Sequence, residues 1–373
     1  MRDDPTHMFS VLTAVETCLT KKLPFAVYRL PGSADVTLVV QYESPVEILE
    51  EMISHFPERG FLIAPFSRQN GKTYLIRPDR VFRNSISSAR LQEMEGLPDG
   101  PDLLDTTTAP EDTRQDDYVR HIDEIVSGIK KKVFEKVVLS RVKSVVGQYF
   151  PQLTRIFQQL CDAYANAFVY LFYVDGNCWA GATTEPLICS TDGRLNTVSL
   201  AGTRPYSTEN MDVRQWNQKE LLEQDLVTQH IEGVLMDYRV EGYQKKGPYA
   251  VRAGNLAHLC TDFVFSLPGN GLPSLIGSLH PTPAVCGMDS CSALDFIRRT
   301  EAHSREYYTG FLGPVGLDDH MQLYVNLRCM KVLKDRLILY VGGGITHDSI
   351  AEDEWEETEI KADTLLSVLR NLS

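Results

Sequence analysis

Strand-like runs in this chain follow one another across turn signals instead of alternating with helices, and that constrains the fold more than any other feature. Residues 25–29 and 36–41 are apolar runs split by Pro31-Gly32. Residues 61–66 and 73–76 flank Asn70-Gly71, a pair that tolerates positive φ and so predicts a hairpin. Further runs stand at 137–139, 168–174, 179–182, 323–327 and 337–341. Helical periodicity marks 118–130, where Tyr118, Ile122, Ile125 and Ile129 share a face, and also 221–235, 293–307 and 354–369. Regular βα units and internal repeats are both missing. The pattern predicts an α+β fold with mainly antiparallel sheets.

The 373 residues allow two domains or one large unit. Residues 94–117, rich in Gly, Pro, Thr and Asp, are the best linker candidate. The net charge of −13 and the lack of a basic cluster argue against nucleic-acid binding. No apolar run approaches the ~20 residues that span a bilayer, and Met1 to Pro5 is polar, without a signal-peptide core. The eight cysteines form no C-x-x-C pair or zinc pattern, so the expectation is buried free thiols in a reducing, cytoplasmic protein. Two tempting motifs fail. Phe66 stands where a P-loop before Gly71-Lys72-Thr73 needs its first Gly, and His347 stands where Gly342-Gly343-Gly344 needs the third glycine of a dinucleotide fingerprint.

Carboxylates carry the functional signal. Six acids fall in the eight positions from Glu352 to Glu359. Alone, this reads as a solvated acidic first turn favoured by the helix dipole. Yet Glu354, Glu357 and Lys361 share one helical side, and like charges packed that closely repel. Glu223 borders the apolar face formed by Leu226, Val227, Ile231 and Val234. A carboxylate there is costly unless paired or metal-bound. Glu223 and Glu357 from two helices would make an oxygen-only site with open positions, which suits Mg²⁺.

At these residues the chain resembles the chorismate-utilising enzymes, and among them the isochorismate synthases. The resemblance covers roughly residues 118–373 and rests on Glu135-Lys136-Val137-Val138-Leu139-Ser140-Arg141, Gly181-Ala182-Thr183-Thr184-Glu185, Leu200-Ala201-Gly202-Thr203-Arg204-Pro205 and Lys219-Glu220-Leu221-Leu222-Glu223. It continues through His258-Leu259, His280-Pro281-Thr282-Pro283-Ala284-Val285-Cys286-Gly287, Leu327-Arg328-Cys329, Gly342-Gly343-Gly344-Ile345 and Glu354-Trp355-Glu356-Glu357-Thr358 with Lys361. The chain departs from the family's usual Ser-Pro-Glu at Thr183-Thr184-Glu185, from its usual His at Leu222 and Gln224, and from its usual Gly-Ala-Gly at the glycine run.

The resemblance implies two large, mainly antiparallel sheets packed together with peripheral helices. Residues 1–117 would be an α+β portion integrated into that fold, and 118–373 the chorismate-binding catalytic portion. It implies Glu223 and Glu357 as Mg²⁺ ligands, Glu354 as partner of a metal-bound water, Lys136 as general base and Glu185 as general acid. Gly202, Thr203, His258, Tyr308, Arg328, Gly342, Gly344 and Lys361 would bind the substrate, Arg328 as a carboxylate fork and the glycine backbones as anion-binding turns. Glu301 and Arg305 read as a helical i, i+4 salt bridge. A lysine at position 136 suits water as nucleophile, which favours the isochorismate branch, with menaquinone synthesis ahead of siderophore supply. Salicylate synthases share that lysine and are the alternative. A non-catalytic chorismate-binding homologue is a distant third, because every charged group is present. Chorismate is the only partner implied, with no membrane and no obligate protein subunit.

Overall fold

The computed structural model describes residues 8–43, 46–48, 57–103, 109–253, 256–267 and 269–370. The polar start read above, Met1 to Pro5, lies outside them, as does part of the linker candidate. Two sheets dominate, one of eleven strands and one of nine. Their paired strands run antiparallel, as the absence of βα units requires.

The strand Phe168–Val174 shows how the layers form. All seven residues are buried. Val169, Leu171 and Tyr173 point to a cluster built with the helices Val11–Lys21 and Leu153–Ala163. Phe168, Tyr170 and Phe172 point the other way, onto Phe61, Ile63, Leu312 and Tyr324 of the nine-stranded sheet. One period-2 strand thus serves a helix-covered face and a sheet-on-sheet face. The far side of the nine-stranded sheet is covered by the helices Gln218–Asp237 and Leu272–Leu279 through Val227, Ile231, Leu235, Leu275 and Ile276. The first ninety residues supply both sheets: Phe25–Arg29 and Val36–Val40 join the larger one, Gly60–Ala64 and Tyr74–Ile76 the smaller.

The expected hairpin is present: Gly60–Ala64 and Tyr74–Ile76 pair antiparallel, Phe61 opposite Ile76, with Asn70-Gly71 in the loop between them. Two local expectations change. The strand expected at 137–139 runs from Lys136 to Val146. The helix expected to reach 307 is Ser290–Thr300, because Glu301 leaves helical backbone at φ −72°, ψ 121°. Glu301 and Arg305 are therefore not a helical pair.

Candidate active site

Four strands and two helices meet around one pocket. The strands Lys136–Val146 and Arg336–Ile345 of the large sheet form its floor. The strands Arg194–Pro205 and Leu256–Phe265 of the other sheet form a wall. The helices Gln218–Asp237 and Ala351–Arg370 bring acids over it. Asn217 caps the first helix, its side chain accepting from the amides of Lys219 and Glu220.

The glycine run was expected as an anion-binding turn. Instead Gly342, Gly343 and Gly344 lie inside a strand, opposite Ser140, Leu139 and Val138. Their value is the missing Cβ. A Cβ on Gly344 would stand 2.8 Å from both Glu223 Oε1 and Lys136 Cε, and one on Gly343 3.1 Å from Glu354 Oε2. The bare strand makes room for three charged side chains. Gly202 is also no free anion site. It sits at a strand irregularity with φ +70°, donates its N–H to Glu223 Oε2 at 3.2 Å, and its carbonyl accepts from His258 Nδ1 at 2.9 Å. Thr203 continues that strand, and its side chain lies outside what is described.

The acids divide by position. Glu223 accepts from Lys136 Nζ at 2.8 Å. Burial pushes its carboxyl up, but the charge and hydrogen bond of Lys136, helped by Lys361 and Lys219, hold it below the ordinary value. Glu357 pairs with Lys361 at 2.7 Å, and Lys361 also donates to Gly342 O at 2.8 Å. Glu354 is buried behind Gly343, accepting from Lys219 at 2.9 Å and Ser349 at 2.6 Å. Burial and the neighbouring charge of Glu357 raise its carboxyl despite Lys219. Within the acidic run, Glu352, Asp353 and Glu356 are exposed, Glu359 is half-buried against Arg141 and Lys143, and Glu354 and Glu357 turn toward the pocket. The solvated reading holds for half the run and fails for the two residues that matter.

Glu185 is 8% exposed and forms no ion pair among the described residues. Burial lifts its carboxyl to about 7, against the pull of Lys136 and Arg328. A carboxyl at the pocket wall thus keeps its proton well above the ordinary carboxylate range and releases it only near neutral pH. Arg328 sits at φ +47°, a bend rather than a strand position, and donates to Thr184 Oγ1 at 3.1 Å and toward His258 Nε2 at 3.3 Å. Burial and the guanidinium of Arg328 depress the His258 imidazole to about 3, so the ring is neutral. Because Nδ1 faces a carbonyl, Nε2 is left as the acceptor for Arg328. Tyr308 stacks on Tyr340 at 5.5 Å and lines the pocket.

The structure brings Glu185, Gly202, Glu223, His258, Tyr308, Arg328, Gly342, Gly344, Glu357 and Lys361 to the pocket lining. Lys136 and Glu354 stand one layer behind, reaching it through Glu223 and the bare glycine strand. Sequence reasoning missed Lys219 and Glu220, which also line the pocket. Glu220 takes a forked contact from Arg204, at 2.9 and 3.2 Å. The signal was available: Glu220 lies one helical turn before Glu223. Among the described residues no three His, Cys, Asp or Glu side chains cluster as a ready-made metal cage. Glu223 and Glu357 both line the pocket, and two such carboxylates suit a hard cation that keeps its waters.

A buried acid, a buried lysine, a guanidinium fork and paired carboxylates define a site for a small anionic substrate and acid–base chemistry. The chain belongs to the chorismate binding enzyme family, whose model matches residues 74–370. It is 30% identical over 268 residues to the isochorismate synthase MenF of Bacillus subtilis, 70% of this chain and 57% of that protein. It is 27% identical over 259 residues to the vibriobactin-specific isochorismate synthase of Vibrio cholerae, 67% of this chain and 66% of that protein. The chain thus spans less than two thirds of either relative. The fold matches the menaquinone-specific isochorismate synthase MenF of Escherichia coli with a TM-score of 0.77 at 21% identity, covering 97% of this chain and 91% of that one.

Proposed function

We propose that this protein is an isochorismate synthase, converting chorismate to isochorismate with Mg²⁺. The observation that carries the reading is the presence of two groups at one pocket: Glu185 in its wall, with its carboxyl raised to about 7, and Lys136, a fully buried amine behind Glu223. The reaction adds water at C2 of the ring while the C4 hydroxyl leaves and the double bonds shift. Lys136 takes the proton of the attacking water, and Glu185 gives its proton to the departing oxygen, so the water consumed is returned. Arg328, steadied by Thr184 and His258, receives a substrate carboxylate as a fork. Tyr308 packs the ring side and Lys361 adds positive charge. Glu223 and Glu357 would hold the Mg²⁺, with Glu354 behind them, and the ion when bound neutralises and orients the ring carboxylate.

The relatives named above support the isochorismate branch, and the resemblance to MenF proteins supports a menaquinone role. Eight free cysteines, five of them buried, two half-buried and Cys291 exposed, and the lack, among the described residues, of a helix long and apolar enough to cross a membrane are compatible with a cytoplasmic enzyme. The test is purified protein with chorismate and Mg²⁺, products resolved chromatographically. Isochorismate supports the reading. Unchanged chorismate overturns it, and stoichiometric salicylate with pyruvate moves the assignment to salicylate synthase.

A further inference from the structure

The floor strand carries a device outside the catalytic groups. On one side, Lys136–Val146 pairs with Arg336–Ile345 along its length. On the other side its partner is only two residues long: Gly287 and Met288 face Val137 and Lys136. Val138 N donates to Cys286 O at 2.9 Å, and there the backbone ladder stops. The next groups on that edge, Val138 C=O and Ser140 N–H, are buried and would lack partners. Two side chains complete the edge. Arg305 Nη2 donates to Val138 O at 2.7 Å, and Ser140 N donates to Glu301 Oε1 at 2.7 Å. Arg305 Nη1 donates to Val285 O at 2.8 Å, and Arg305 and Glu301 bond each other at 2.8 and 2.5 Å. The loop also meets the strand at Ser140 Oγ, 2.9 Å from His303 Nε2. Arg305 is 1% exposed and Glu301 3%.

We infer that the Glu301–Arg305 pair is a positioning unit: it stands in for a missing strand segment and fixes Lys136 and the pocket wall. Val138 and Val285, whose carbonyls Arg305 holds, both line the pocket. Lys136 lies two residues before Val138 on the same strand face. A planar fork is needed because three acceptors, Val138 O, Val285 O and Glu301, lie in different directions around one guanidinium. Lysine carries charge but no such fork.

This inference rests on the isochorismate synthase reading for its kinetic arm only. Arg305→Lys and Glu301→Gln are compared with wild type at saturating Mg²⁺, together with hydrogen exchange of the Val138 and Ser140 amides. For Arg305→Lys the expected result is a kcat lower by about 10- to 100-fold, as small misplacements of reacting groups cause. KM should stay within about threefold, and both amides should exchange faster. Glu301→Gln keeps an acceptor for Ser140, so it should retain more kcat than Arg305→Lys. Wild-type kcat in folded Arg305→Lys protein, or a loss confined to KM, overturns the positioning role. If Arg305→Lys is not recovered folded, Glu301→Gln decides: kcat and exchange identical to wild type overturn the proposal. Wild-type protein inert toward chorismate overturns the functional reading instead, and unchanged exchange at Ser140 in both variants then overturns the clamp by itself.

Discussion

Replacing Glu185 with Gln should raise stability and remove activity, and the size of the stability gain follows from the site. Glu185 is 8% exposed without an ion pair among the described residues, and burial lifts its carboxyl from 4.5 to about 7. The unfolded chain releases the proton near the ordinary value, the folded chain only near 7. Below 4.5 both states are protonated and no penalty exists. Between 4.5 and 7 the unfolded state gains by ionising, and above 7 the folded protein bears the whole cost of a buried charge. At 1.36 kcal/mol per unit that cost reaches about 3 kcal/mol. Glutamine has the same shape and no charge, so it escapes the penalty. The stability of Glu185→Gln relative to wild type should therefore climb by about 2.5 kcal/mol between pH 5 and pH 8.5. Urea denaturation at pH 5, 6, 7 and 8.5 measures it, reading midpoints at a common slope. Curves for the two proteins that stay parallel across this range would refute the buried-acid argument. The same variant should lose about 10²- to 10⁴-fold in kcat, as expected for removal of a general acid.

Four further outcomes follow from the same site. The wild-type kcat/KM should fall as pH rises through about 7, where Glu185 gives up its proton, and a profile level to pH 9 contradicts that role. Lys136→Gln should cost about 10²- to 10⁴-fold in turnover and, by stranding Glu223, about 3–5 kcal/mol in stability. The double variant Lys136→Gln/Glu223→Gln should recover most of that stability in urea titrations, while turnover stays lost. Exhaustive chelation should abolish turnover and added Mg²⁺ restore it, with Glu357→Gln needing more Mg²⁺ for half activity; undiminished turnover after chelation excludes the metal site. A time course at neutral pH should show isochorismate without the fluorescence of salicylate, and salicylate rising in step with chorismate loss contradicts the assignment.

Local signals in the sequence reach only as far as local physics does. The fold class was legible because antiparallel strands and their turns are read within a few residues of one another. Glu223 was legible because an acid on the border of an apolar helical face has few places to go. The partner of Glu223 was not: Lys136 lies 87 positions away and meets it only after two sheets and a helix converge. For the same reason the position of Lys136, buried behind Glu223, was not legible either. Gly342-Gly343-Gly344 misled because glycine is read first as backbone freedom, whereas here the strand is regular and the missing side chain is what matters. Glu301 and Arg305 misled because their i, i+4 spacing fits a helix that ends one residue too soon. The acidic run was legible as a helix start but not in its division, which depends on which acids face Gly343 and Gly344.

The charges around the pocket make a closed set, and that set argues for the chemistry. Glu220 has Arg204, Glu223 has Lys136, Glu354 has Lys219 and Glu357 has Lys361. Glu185 is neutral up to about pH 7 and His258 is neutral, so among the described residues Arg328 is the lining cation that forms no ion pair. A buried site tolerates little net charge, because each unbalanced buried charge costs several kcal/mol. In the proposed reaction the two carboxylates of chorismate would offset one divalent cation. Lys136 would gain one proton and Glu185 would lose one, so the step leaves the net charge of the pocket unchanged. The proton crosses the pocket without any net charge being created in it, which is why a lone cationic fork, a neutral acid and a buried lysine belong together here.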